Sequence, residues 1–181
     1  SGDKMEGLAY NYKDEWCLDS LAVFDELGLG YGMELRPGNT FSGTGAPAMI
    51  SRVLTQLPKI QGKHRVRADS AFCNEEFIRT CLLHNTEFTI TAHDNMNWTD
   101  VAARTTEWTP WVYSKEEQGE AQKKGKRLPA IETAHYNYQP GWAENLRFPV
   151  VIKRTWVSND TSTKRQFSLF APEAESSGNW K

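Results

Sequence analysis

The stretch Arg65-Val66-Arg67-Ala68-Asp69-Ser70-Ala71-Phe72 decides how the rest of the chain is read. His64 to Ala68 has the composition of a short strand, Asp69 closes it, and a helix is expected to open near Asn74. A carboxylate is thereby placed at the carboxyl end of a strand, in the crevice where α/β sheets hold ligands. A turn or capping Asp satisfies the same local pattern. The choice between the two rests on the residues around it.

Upstream of this stretch, Met49, Ile50, Val53, Leu54 and Leu57 recur at helical spacing, Pro47 suits the first turn, and Pro58 ends the helix. Before that comes a hairpin pattern. The apolar run Cys17 to Phe24 is followed by Gly28 and Gly30, and then Tyr31, Met33 and Leu35 alternate with Gly32 and Glu34. Arg36-Pro37-Gly38-Asn39 is expected to stop the second strand. The first fifteen residues are polar without helical period and read as solvated loop.

Downstream, Glu75 and Glu76 favour the first turn of the helix, and Phe77, Ile78, Cys81 and Leu82 give it an apolar face. Glu87 to Ala92 is the next strand. Hairpin, helix, strand, helix, strand is an α/β order, with a parallel crossover through the second helix. After about Asp94 the style changes. Trp98, Trp108, Trp111, Trp142 and Trp156 fall here, and strands are expected at residues 107–113, 130–138, 148–157 and 165–170. The polar segment Ser114 to Arg127 and the run Asn159 to Thr163 read as hairpin tips. The expected division is an α/β part over residues 1–94, an antiparallel β-rich subdomain over 95–172, and a polar tail over 173–181.

The bulk numbers set outer bounds. A chain of 181 residues with 39% hydrophobic and 24% charged residues suits a soluble globular protein. There is no run of apolar residues long enough to span a bilayer. Three cysteines without a C-x-x-C pair, and four scattered histidines, give no zinc spacing and suit a reducing cytoplasm. The net charge of −2 argues against a free-standing domain that binds nucleic acid by charge alone.

Three motifs stand in order along the first half: Glu6-Gly7-Leu8-Ala9-Tyr10-Asn11-Tyr12, then Leu35-Arg36-Pro37-Gly38-Asn39, then Arg67-Ala68-Asp69-Ser70-Ala71-Phe72. Together they resemble the catalytic domain of DDE transposases of bacterial insertion sequences. The resemblance covers roughly residues 5 to 95. It implies a partial RNase H-like core, a mixed sheet with flanking helices, with the Trp-rich strands as a β-rich insertion. It also implies metal-dependent phosphodiester cleavage and strand transfer, with transposon ends and target DNA as partners.

That chemistry uses three carboxylates and two Mg²⁺ (or Mn²⁺) ions about 4 Å apart, which activate the attacking oxygen and stabilise the leaving one. Hard cations of this kind take oxygen ligands. On the family pattern Asp69 is the second carboxylate, both catalytic and metal-binding. The first is expected upstream of this segment and the third on a helix beyond it. The chain is then an internal fragment, inactive by itself, that holds no metal tightly. The alternative is a non-catalytic α/β domain that binds DNA or protein on the same scaffold.

Further candidates are peripheral. Arg67, two residues before Asp69, would share its side of the strand and could meet phosphate. Lys115, Lys123, Lys124, Lys126 and Arg127 form a basic cluster diluted by Glu116, Glu117 and Glu120; it is either a phosphate contact or a solvated loop. Phe167 is the positional match for an aromatic that stacks on a flipped base in such insertions, and a core aromatic fits that place as well. His93-Asp94-Asn95 would be a polar strand-to-loop turn or a spare metal ligand. A core without its first strand would leave a sheet edge uncovered, which favours self-association.

Overall fold

The computed structural model describes residues 6–92, 98–143, 145–156 and 163–170. The chain forms two compact units, Ser1–Phe88 and Thr89–Lys181.

The first unit opens with an antiparallel sheet of β1 (Ala9–Tyr10), β2 (Trp16–Phe24) and β3 (Gly30–Pro37), in that order. Asp25 builds the turn between the two long strands. Its Oδ1 accepts from the N–H groups of Leu27 and Leu29, each at 2.9 Å, and its Oδ2 from the Tyr31 hydroxyl at 3.1 Å. The Leu29 N–H above all holds the Asp25 carboxyl below its ordinary range. The Arg36-Pro37-Gly38-Asn39 run ends the second strand as expected: Pro37 is its last residue, opposite Leu18, since an edge strand tolerates a residue without an N–H. The polar opening also contributes β1, which pairs Ala9 with Cys17 and Tyr10 with Trp16.

Side-chain alternation gives this sheet two different faces. Leu21, Val23 and Gly32 look toward α1 (Ala46–Gln56), where a Cβ on Gly32 would lie 3.5 Å from Met49 and Val53. Leu21, Met49, Ile50 and Val53 are buried there. The opposite face pairs Leu18 with Pro37, Ser20 with Leu35 and Ala22 with Met33, with Trp16 at its end. On it Trp16, Met33 and Leu35 are exposed.

After α1 come β4 (Arg65–Ala68), a 3-10 turn (Ser70–Phe72), α2 (Glu75–Leu83) and β5 (Glu87–Thr91). Asn74 caps α2 by accepting from the Phe77 N–H at 3.0 Å. Phe77, Ile78 and Cys81 are buried, and Ser51 on α1 meets His84 after α2 at 2.9 Å. β4 neighbours β5. The Glu87 N–H donates to the His64 carbonyl at 2.9 Å, and Arg65 pairs with the Glu87 carboxylate at 2.9 Å. Starts of neighbouring strands thus lie side by side, as a helical crossover requires.

The second unit contains α3 (Trp98–Arg104), β6 (Thr109–Pro110), α4 (Lys115–Lys123), β7 (Ala130–Tyr138), β8 (Phe148–Trp156) and β9 (Thr163–Phe170). The end of β5 pairs with β9, and the order continues β8, β7, β6, all antiparallel. Ala134, Phe148, Val150 and Ile152 share one face and are buried. Trp98 packs on Tyr138 with ring centroids 4.9 Å apart, and Trp142 on Phe148 at 5.7 Å. On the same face Glu132 pairs with Arg154, whose guanidinium lies 3.8 Å from the Trp108 ring centroid.

Two sequence expectations need correction here. Residues 98–104 form a helix where no element was expected, and the strand expected over 107–113 shrinks to Thr109–Pro110. Ser114 to Arg127 is no hairpin tip but contains α4. Ser114 and Glu117 form a capping box: the Glu117 N–H donates to Ser114 Oγ at 3.2 Å, and the Ser114 N–H to Glu117 Oε2 at 2.7 Å. No residue of α4 is buried. The cap and the charges therefore hold a helix that has no apolar face to betray it in the sequence. The second expected tip, from Asn159, lies mostly outside the described residues. Four α-helices and several sheets among the described residues make this a mixed α/β protein.

Candidate functional site

Asp69 stands where β4 ends. Its backbone is extended, and its Oδ1 accepts from the Ala71 N–H at 2.9 Å, which caps the 3-10 turn. Its Oδ2 makes no hydrogen bond among the described residues, and the residue is exposed. The two local readings of Asp69 thus fall on different oxygens. One oxygen caps the turn, and the other is open to a cation or to solvent.

The turn that carries Asp69 is buttressed from the hairpin. Asp19 and Arg36 lie opposite each other on β2 and β3 and form an ion pair, with Arg36 only 6% exposed. The guanidinium also donates to the carbonyls of Ser42, at 3.3 Å, and Thr44. Gly43 stands between those two carbonyls and is buried. A Cβ at Gly43 would lie 2.7 Å from the Ala71 carbonyl oxygen. The loop is thereby pressed onto the backbone of the Asp69 turn, and only glycine permits that approach.

The pairing of Asp19 with Arg36 and the close approach at Gly43 were not foreseen from the sequence. A signal existed: Asp19 is the one charge in the run Cys17 to Phe24, and Arg36 follows an otherwise apolar alternation. What the sequence lacks is the register that puts the two face to face.

The remaining candidates are scattered. Arg67 is exposed on β4 and makes no ion pair among the described residues. Lys123 ends α4 and Lys124 follows it, pairing with Glu120 at 3.2 Å; Lys126 and Arg127 come next, both exposed. Four cations at a helix C-terminus complement its dipole without any ligand. Phe167 is on β9 at the register position opposite Ile152. His93, Asp94 and Asn95 lie outside the described residues.

Hard divalent cations need several oxygens. Asp69 Oδ2 suits one ligand position. Among the described residues, however, no group of three His, Cys, Asp or Glu side chains could hold a metal ion. The described residues by themselves do not make a complete ligand set for such an ion. Also among the described residues, no helix is long and apolar enough to cross a membrane.

Comparison with curated proteins finds no match. The family model described as the transposase DDE domain, group 1, matches residues 2–173. With nearly its whole length matched, the chain belongs to the transposase DDE domain family.

Proposed function

We propose that this chain is the middle part of a DNA transposase and contributes Asp69 as one carboxylate of a divalent-metal site for phosphodiester cleavage and strand transfer. The observation that carries this is the Asp69 carboxylate itself, fixed at a strand end through Oδ1 and open at Oδ2. In this reading residues 1–94 are a partial RNase H-like core and residues 95–172 an insertion. DNA is the partner, with Arg67 and the Lys123–Arg127 cluster as phosphate contacts and Phe167 as a base-stacking aromatic. Mg²⁺ or Mn²⁺, when bound, would polarise the scissile phosphodiester. Asp69 would hold the ion, and the loop packed on its turn would fix the carboxylate's direction.

One carboxylate gives too few oxygens for two ions, so the 181-residue chain is taken as inactive on its own. The test is plasmid cleavage in Mg²⁺ or Mn²⁺ by this chain and by the protein translated from the longer reading frame around it. No cleavage by the chain is expected, and the longer protein should cleave unless it carries Asp69→Asn. Cleavage by the chain alone that is abolished by Asp69→Ala would overturn the fragment reading. Full activity of the Asp69→Asn longer protein would overturn the assignment of Asp69.

A further inference from the structure

The three motifs that stand apart in the sequence meet within the first unit. Gly7 and Ala9 of the first lie against Gly38 of the second. The Gly38 N–H donates to the Gly7 carbonyl at 3.3 Å, and a Cβ at Gly38 would stand 2.7 Å from the Ala9 carbonyl oxygen. The chain turns there, with the Thr40 N–H on the Pro37 carbonyl at 2.9 Å. Arg36 of the same motif holds the carbonyls of Ser42 and Thr44, on either side of Gly43. Gly43 in turn meets the third motif at Ala71. Ala71 is held from both sides: its carbonyl faces Gly43, and its N–H donates to Asp69 Oδ1 at 2.9 Å.

From this connection we propose that Arg36 is a positioning residue for Asp69: through the Ser42–Thr44 loop and Ala71 it sets the direction in which Asp69 Oδ2 points. The proposal rests on the reading of Asp69 as a metal carboxylate. Oδ1 is bonded to the Ala71 N–H, so a shift of that backbone turns the carboxylate and swings Oδ2 with it. The contact at Gly43 has no slack. A single methyl group there would overlap the Ala71 carbonyl, so a loop that moves toward the turn must push Ala71.

The choice of residue points the same way. Arg36 is 6% exposed and its charge is compensated by Asp19. A buried ion pair adds little stability over apolar side chains of the same volume. What the planar guanidinium adds is geometry, because it reaches a carboxylate and two loop carbonyls at once and so fixes one loop conformation. Groups that orient a metal ligand without touching the ion change affinity or activity by about 10–100-fold when replaced.

The test uses Arg36→Lys, Gly43→Ala and, as a control that loosens the same unit through its core, Val53→Ala. Circular dichroism verifies that each is folded, and Asp19→Asn takes the place of any that is not. In the 181-residue chain, Arg36→Lys should move the Ala71 amide resonance and Val53→Ala should leave it in place. In the longer protein, plasmid cleavage is measured against Mg²⁺ concentration. Arg36→Lys and Gly43→Ala should each raise the Mg²⁺ needed for half-maximal cleavage at least about tenfold, with Val53→Ala unchanged. An Ala71 resonance unmoved in Arg36→Lys, or wild-type Mg²⁺ dependence in both folded variants beside an inactive Asp69→Asn, overturns the proposal alone. Full activity of Asp69→Asn overturns the reading of Asp69, and the proposal with it.

Discussion

Asp19 and Arg36 form a cross-strand ion pair beneath the loop that packs on the Asp69 turn. Arg36 is buried, and its Nε finds no acceptor among the described residues, so Asp19 supplies most of what compensates its charge. Removing one partner of such a pair leaves a charge stranded in a poor solvent, which is far costlier than losing an exposed pair. Asp19→Ala is expected to cost about 3 kcal/mol in urea denaturation. Arg36→Lys should recover little of the stability, because an ammonium cannot reach the carboxylate and both loop carbonyls as the planar guanidinium does.

Glycine substitutions should separate close approach from mere flexibility. Gly43→Ala meets the Ala71 carbonyl oxygen at 2.7 Å and is expected to destabilise by about 1–3 kcal/mol. It should also shift the amide resonances of Asp69 to Phe72. Gly119, inside α4, has open space where a Cβ would stand. There the sign reverses, and Gly119→Ala should stabilise by about 0.5–1 kcal/mol. Thermal unfolding with amide spectra of both variants checks the pair.

Cys81 gives the fold a dependence on high pH. Burial pushes its thiol up from 9.0 to about 11. Below pH 9 the thiol keeps its proton in both the folded and the unfolded chain, and its contribution to stability is complete. Between pH 9 and 11 the unfolded chain loses the proton first, so stability falls, by about 2–3 kcal/mol in all. Above about pH 11 the thiol ionises in the folded state too and adds no further loss. Stability measured from pH 8 to 11 for wild type and Cys81→Ala should show the extra slope in wild type alone.

The sequence was most legible where local chemistry and burial agree. Pro47 and the 3.6-residue spacing located α1, Asn74 marked the cap of α2, and the expected strand over 130–138 matches β7. It was least legible where an element has no buried face or depends on a distant partner. α4 buries nothing, so no apolar face marked it in the sequence. β1 is two residues long and exists through its pairing with β2. The end of β4 before Asp69 could be read, but the loop that steadies the following turn could not, since Asp19 and Arg36 are seventeen positions apart.

For the basic cluster the expected behaviour is electrostatic. If Lys123, Lys124, Lys126 and Arg127 touch DNA phosphates, replacing all four by Ala should reduce the slope of log affinity against log salt by roughly 3–4. Fluorescence anisotropy with a labelled duplex at several salt concentrations measures it. An unchanged slope would return the cluster to its role at the end of α4.

The central claim is that the Asp69 carboxylate holds a divalent metal. It is tested most directly by iron-mediated cleavage of the polypeptide, in the longer protein that contains this segment. Fe²⁺ in place of Mg²⁺, with ascorbate and peroxide, cuts the chain beside the bound ion. The expected result is a cut close to Asp69, suppressed by excess Mg²⁺ and lost in Asp69→Asn. Cuts confined to other parts of the chain, or a cut near Asp69 that persists in Asp69→Asn, would contradict it.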